Sequence, residues 1–432
     1  MFPVDAATGL PGPDWLRDRR LAAAERAATA GLPTTEEEIW RYSRIGELDL
    51  DRFTVATAPP PGGIPEAVGR YLETVPDRAA LVVTVDGRVV RCEVDDGLAA
   101  KGVVFGSVAD MDDGAEVVGS VVTSPGDVFA EMNDAFAAEP LALRVPAGVV
   151  VDRPVVVVHW LAGDRLASFP RLVIDTGDDS EVAVLELLAS DDIDAFVAPV
   201  VELHAGAAAR LRYVGVQLLG QRVWQIANQV TRAERDSTTI ASMVALGGDY
   251  ARVRADSRLV GQGASGDMLA VYFGEGSQMH DFRTFQDHAA PDTTSDLLFK
   301  GAVQGHSRSV YTGLIKVRPN ARGTNAFQTN RNIKLSEDAW AESVPNLEIE
   351  NNDVRCSHAS TVGPVDEEQR FYLESRGVPP EIAERLIVIG FFDEVLERLP
   401  VPGIISPLRR YVSAKLDRRG EQGPSGPQSG ER

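Results

Sequence analysis

From about Leu141 to Val365 the chain alternates short apolar runs with small polar turns, and hardly any stretch carries a helical period. Runs such as VVVDRPVVVVHW, EVAVLELLA, ARLRYVGVQLL, YARVRADSRLVG, GDMLAVYFG and SRSVYTGLIKV are rich in β-branched residues, and Gly, Asn, Asp and Ser separate them. This pattern predicts an all-β region, built either as a sandwich or as a solenoid whose coils stack on one another. Ala, Ser and Thr recur near the turns, where tight stacking prefers small side chains. That favours the solenoid, although similar strands recur only at a drifting spacing of about 20 to 30 residues, without an exact repeat.

Helical patterns flank the β region. An alanine-rich helix is predicted over roughly Pro13 to Ala30, stopped by Gly31 and Pro33. Thr35 and Glu38 have capping-box spacing for a short helix carrying Ile39, Trp40 and Tyr42. Residues 51–65, with the run APPPGG, read as a linker. LVVTV and RVVRCEV, joined by Asp86-Gly87, read as a hairpin, with Cys92 a small half-buried residue of its second strand. DVFAEMNDAFA reads as an amphipathic helix with Val128, Phe129, Met132, Ala135 and Phe136 on one side, ended by Pro140.

After Val365, Asp366 and Gln369 cap a helix carrying Phe371, Tyr372 and Leu373, with Gly377 as its stop. Pro379 and Pro380 open a second helix, with Ile382, Leu386, Ile389, Val395 and Leu399 near one face and Phe391 and Phe392 widening the stripe. A third runs near Ile404 to Leu416, and the polar tail from Asp417 reads as disordered. The expected division is therefore 1–140, a helical and mixed region with a small hairpin; 141–365, the β core; 366–416, a helical region; and 417–432, the tail. The C-terminal helices carry more apolar surface than they can bury among themselves. They either cap the end of the β region or offer a face to another protein.

Composition narrows the function. The 432 residues suit two to three domains. A net charge of −21, from 43 basic against 64 acidic residues, argues against nucleic acid or an anionic membrane as partner. Two cysteines, Cys92 and Cys356, build no disulfide framework and suit a reducing compartment. The N-terminal residues lack the apolar core of a signal peptide, and no apolar run is long enough to span a bilayer, so a cytoplasmic location is expected.

No P-loop, no G-x-S-x-G elbow and no H-E-x-x-H motif is present, and GEGSQM at 274–279 opens no helix. Two histidine groupings remain. His280 and His288 fall in HDFRTFQDH with Asp281, Arg283 and Asp287; the group reads either as a polar network or as the acid–base site of a β-helix enzyme acting on carbohydrate. Cys356 and His358 are two residues apart in a predicted strand, so a thiol and an imidazole leave one face side by side. Both are ligands for zinc, copper or iron–sulfur chemistry, but they supply at most two of the usual four positions. His159, His204 and His306 stand apart and read as structural.

The stretch around this pair also carries a resemblance. PNLEI, DVRCSHASTVG, FYLESRG and GFFDEVLERLP, preceded by HDFRTFQDHAAPDTTSDLLFKGAV, SRSVYTGLIKV and DVFAEMNDAFA, resemble in order the SufB/SufD family of iron–sulfur cluster assembly proteins, and its SufD branch in particular. The resemblance implies a mainly β fold, with a right-handed parallel β-helix core between N- and C-terminal helical regions. It implies a non-catalytic scaffold subunit that pairs with a SufB-like paralogue, or with itself in the paralogue's absence, and docks a SufC-like ABC-type ATPase through residues 366–416. It implies that His358, with Cys356 beside it, contributes ligands to a transient iron–sulfur cluster shared at the subunit interface. The alternative is an adaptor for the ATPase that touches no metal. Where the SufD motif commonly has glycine after C-S-H, this chain has Ala359; a positive φ there would strain it.

Overall fold

In the computed structural model, residues 1–57 and 63–421 are described, the last three by backbone alone. Strands from Leu141 to Gly363 wind as a parallel β-solenoid of about eight turns. One sheet runs from Trp340–Ile349 through Arg308–Val317, Met279–His288, Tyr250–Leu259, Val223–Ala233, Val200–Ala205 and Arg171–Thr176 to Leu141–Val145. The other runs from Val354–Gly363 through Thr324–Lys334, Thr294–Val303, Ser265–Gly274, Thr238–Ala245, Arg210–Leu218 and Glu181–Ser190 to Val155–Leu161. The hairpin Ala80–Val85/Arg88–Val94 then extends this second sheet, with Asp86 and Gly87 both at positive φ as its turn requires.

The repeat is conformational rather than chemical. Tyr250 lies beside Met279, and Met279 beside Arg308, a step of 29 residues each time. At one corner the left-handed position is filled in turn by Gly148, Asp179, Ala208, Asp236, Gly263, Asp292 and Gly323. Each N–H there donates to the next coil, as in Asp236 N to Gln262 O, 2.9 Å, and Asp292 N to Arg322 O, 2.8 Å. Glycine fits this corner without cost and aspartate tolerates it, so unlike sequences make the same turn.

The sheets enclose one core and carry two more on their outer faces. Between them lie Met268, Ala270, Tyr272, Phe282, Leu297, Phe299 and Tyr311. Outside the first sheet, the N-terminal segment and the helix Val128–Phe136 pack Phe2, Trp40, Phe129 and Met132 against Phe196, Trp224 and Tyr250. Outside the second, helices Pro380–Leu396 and Ile405–Glu421 pack Val388, Phe392, Val395 and Leu408 against Leu185, Val216, Val271 and Phe273. The C-terminal helices thus lie along the flank of the solenoid, not across its end. Lys300 and Lys415 fix them there: Lys300 Nζ donates to Phe391 O at 2.8 Å, and Lys415 Nζ to Phe273 O at 2.6 Å.

Several local expectations change. Thr35 and Glu38 form no capping box; the segment is a 3-10 turn over Glu38–Trp40, and Thr34 N instead donates to Glu37 Oε1 at 2.9 Å. The linker begins later than residue 51, because Phe53 is buried and Thr54–Val55 pairs with Leu166–Ala167. Residues 58–62, most of APPPGG, lie outside the described residues. The last helix runs through residues 417–421, and 422–432 lie outside the described residues. Among the described residues no helix is long and apolar enough to cross a membrane.

Candidate functional site

Among the described residues the two sheets end on strands with no further neighbour, Trp340–Ile349 and Val354–Gly363. Unlike the inner coils, nearly all of their residues are half-buried or exposed, including Leu347, Ile349 and Val362. Trp340 N and Glu350 N donate inward to Ser307 O and Val317 O. The N–H groups of the even residues thus point to the neighbouring strand and those of the odd residues to the free edge, where Pro345 brings none. The strand Val354–Gly363 carries no proline, so its edge is uninterrupted.

Cys356 and His358 sit on this last strand. Cys356 packs against the cluster of Ile315, Val317, Ala321 and Ala326, so the face it shares with His358 closes the open end of the interior. His358 is exposed and Cys356 half-buried. Burial pushes the Cys356 thiol up from its ordinary value, so it rests protonated near neutral pH. Ala359 is extended rather than left-handed and is not strained. Among the described residues no group of three or more His, Cys, Asp and Glu is placed to hold a metal ion.

Cys92 cannot join the pair. It lies on the opposite terminal strand of the same ten-stranded sheet, roughly 40 Å away at ordinary strand spacing. It is also exposed rather than half-buried, because its strand has a partner on one side only.

The His280–His288 patch does not form a site. Alternation along one strand sends His280 and His288 to the interior and Asp281 and Arg283 to the outer face. His288 Nδ1 and Nε2 are hydrogen-bonded to the hydroxyls of Thr293 and Ser295, at 2.8 and 2.9 Å. Asp281 is fully buried between Arg252 and Arg283, and Arg283 Nη2 and Arg252 Nη2 donate to Arg41 O and Ile39 O. This cluster fastens the N-terminal segment to the solenoid and leaves no acid–base pair facing a groove. Asp287 pairs on the outer face with Arg318 at 2.6 Å.

A second surface lies beside the helices Glu367–Ser375 and Pro380–Leu396. Phe371 and Tyr372 are 74 % and 58 % exposed, and Ile382 and Leu386 are exposed as well. A groove of about 850 Å³ opens there, lined among others by Lys300, Arg331, Tyr372, Leu386, Phe391 and Glu394. Lys300 and Arg331 escaped the reading of the sequence, since single basic residues on outward strand positions carry no motif. Gln328, Asn330 and Asn332 escaped it too, although their two-residue spacing in TNAFQTNRNIK places three amides on one face.

The model of the SUF system FeS cluster assembly SufBD core domain matches residues 159–391, more than half of the chain. The chain is 27 % identical over 423 residues to the iron–sulfur cluster assembly protein SufD of Bacillus subtilis, covering 94 % of each chain. It is 26 % identical over 394 residues to SufD of Escherichia coli, covering 90 % of this chain and 89 % of the other. A SufBD family protein of Mycobacterium tuberculosis is 38 % identical over 225 residues, 50 % of this chain and 57 % of that relative's length. With the parallel β-solenoid and its C-S-H strand already in view, these matches show that the chain belongs to the SufBD family of the SUF system.

Proposed function

We propose that this chain is a scaffold subunit for the assembly of iron–sulfur clusters, without turnover of its own. The observation that carries the reading is the open solenoid end, where an uninterrupted strand edge and exposed apolar residues surround Cys356 and His358. A SufB-like paralogue completes this end, adding strands to the free edges. The nascent cluster, which is cargo, takes a nitrogen from His358 and a sulfur from Cys356, with the remaining ligands from the paralogue. The protonated resting thiol is a poor nucleophile, and arriving metal displaces its proton. An imidazole in place of a thiolate lowers the negative charge at the cluster and eases release.

The groove beside residues 366–396, with Phe371, Tyr372 and Leu386 exposed, docks a SufC-like ABC-type ATPase whose cycle moves the two scaffold subunits. Anaerobic affinity purification of the tagged chain from its native cell tests the reading. Recovery of an ABC-type ATPase together with a SufB-like paralogue supports it. Recovery of the chain alone, or only as a homodimer, removes the shared interface on which it depends.

A further inference from the structure

We infer that Gln328 is a positioning residue for His358. The inference rests on the proposed ligand role of His358 and deepens it. On the strand Thr324–Lys334, Gln328, Asn330 and Asn332 turn three amides toward the solenoid interior. Two of them are satisfied. Asn330 Nδ2 donates to the Tyr272 hydroxyl and Asn332 Nδ2 to Asn330 Oδ1, each at 2.8 Å, and Tyr272 donates to Asn332 Oδ1. Gln328 differs. It is 1 % exposed, and neither its amide oxygen nor its nitrogen has a hydrogen-bond partner among the described residues.

A buried amide without partners is costly, and an apolar side chain of the same size would remove the cost. The fold nevertheless makes room for it. A Cβ on Gly313 of the neighbouring sheet would come within 2.3 Å of Gln328 Nε2. What lies beyond Gln328 toward the open end is His358, its register partner on the last strand, about 4.8 Å away across a parallel ladder. A histidine that ligates through one ring nitrogen needs an acceptor for the N–H of the other, which fixes ring orientation and tautomer. The Gln328 carbonyl supplies that acceptor when His358 is engaged by metal. The amide is thus retained at a cost to stability for a geometry that only the loaded site uses.

The test is anaerobic Co²⁺ titration of the full-length chain in complex with the proposed SufB-like paralogue, followed by thiolate-to-metal absorption, together with thermal unfolding of the full-length chain. The variants are Gln328→Met, which keeps the volume and removes the acceptor, and Gln328→Glu, which keeps an acceptor oxygen. Gln328→Met is expected to bind Co²⁺ about tenfold more weakly and to melt higher than the unaltered chain, while Gln328→Glu retains affinity. A residue kept for structure alone would lower the melting temperature and leave affinity unchanged; that result overturns the inference. If the complex with the unaltered chain shows no Co²⁺ binding dependent on both Cys356 and His358, the ligand pair itself fails and the inference falls with it. If binding depends on the pair but not on Gln328, only the inference falls.

Discussion

Arg252 and Asp281 form an ion pair with both side chains out of water, Nη1 to Oδ2 at 2.5 Å. Arg283 shares the same carboxylate at 2.8 Å, and the Trp40 ring lies 3.9 Å from the Arg252 guanidinium. One aspartate thus holds two arginines whose other donors reach the carbonyls of the N-terminal segment. Replacing Asp281 by Asn leaves two buried cations without the carboxylate they share. The expected loss is about 3–5 kcal/mol in urea unfolding, with earlier proteolysis near residues 36–43. A loss within about 0.5 kcal/mol would show that the cluster is not what fastens this segment.

Lys415 gives the C-terminal helix a pH dependence. Burial pushes its ammonium down to about 8, against partial support from Glu275 at 3.5 Å. Below pH 8 the group is charged whether the chain is folded or not. Between about 8 and 10.5 the unfolded chain still binds a proton that the folded chain has released, so stability rises with pH in that window. The rise is on the order of 3 kcal/mol and should be absent from Lys415→Met, as read from the difference between the two unfolding profiles.

His280 and His288 act at the acid end. Burial, with the nearby Lys415 charge, pushes His280 down to about 3, and burial pushes His288 down to about 4. Both are held neutral in the fold and gain protons on unfolding below pH 6.5, so stability falls as the pH drops from 6.5 toward 4. His288→Gln should flatten that fall by on the order of 3 kcal/mol in chemical unfolding at pH 4. An unchanged slope would mean that His288 is not the buried neutral group described here.

Phe371, Tyr372 and Leu386 are exposed, and the Tyr372 ring carries only the guanidinium of nearby Arg376 among the ring contacts of the described residues. Tyr372→Ser combined with Leu386→Ser should leave unfolding within about 0.5 kcal/mol while removing the proposed ATPase partner from affinity purifications. Retention of the ATPase would place its docking surface elsewhere.

Much of this was legible in the chain because local chemistry and final fold agree. Asp86-Gly87 announced its hairpin, and Asp366 caps the helix that follows it. Period-two alternation placed Cys356 and His358 on one face. What the sequence concealed was the repeat, because the left-handed corner is filled by Gly or Asp and once by Ala, and the clustering of HDFRTFQDH was misleading because adjacent letters on a strand face opposite sides. Thr35 and Glu38 have the spacing of a cap, but the segment is held instead by Arg252 and Arg283, more than two hundred residues away. Tertiary anchoring of that kind leaves no local pattern.

On the proposed function, His358 and Cys356 hold a cluster at a shared interface. The most direct measurement is anaerobic cluster assembly on the complex of this chain with the proposed SufB-like paralogue and ATPase, comparing the unaltered chain with His358→Ala and Cys356→Ala. Bound iron and acid-labile sulfide per complex should fall severalfold in His358→Ala and less in Cys356→Ala, with the complex intact by gel filtration. Full cluster loading in both variants would contradict the account.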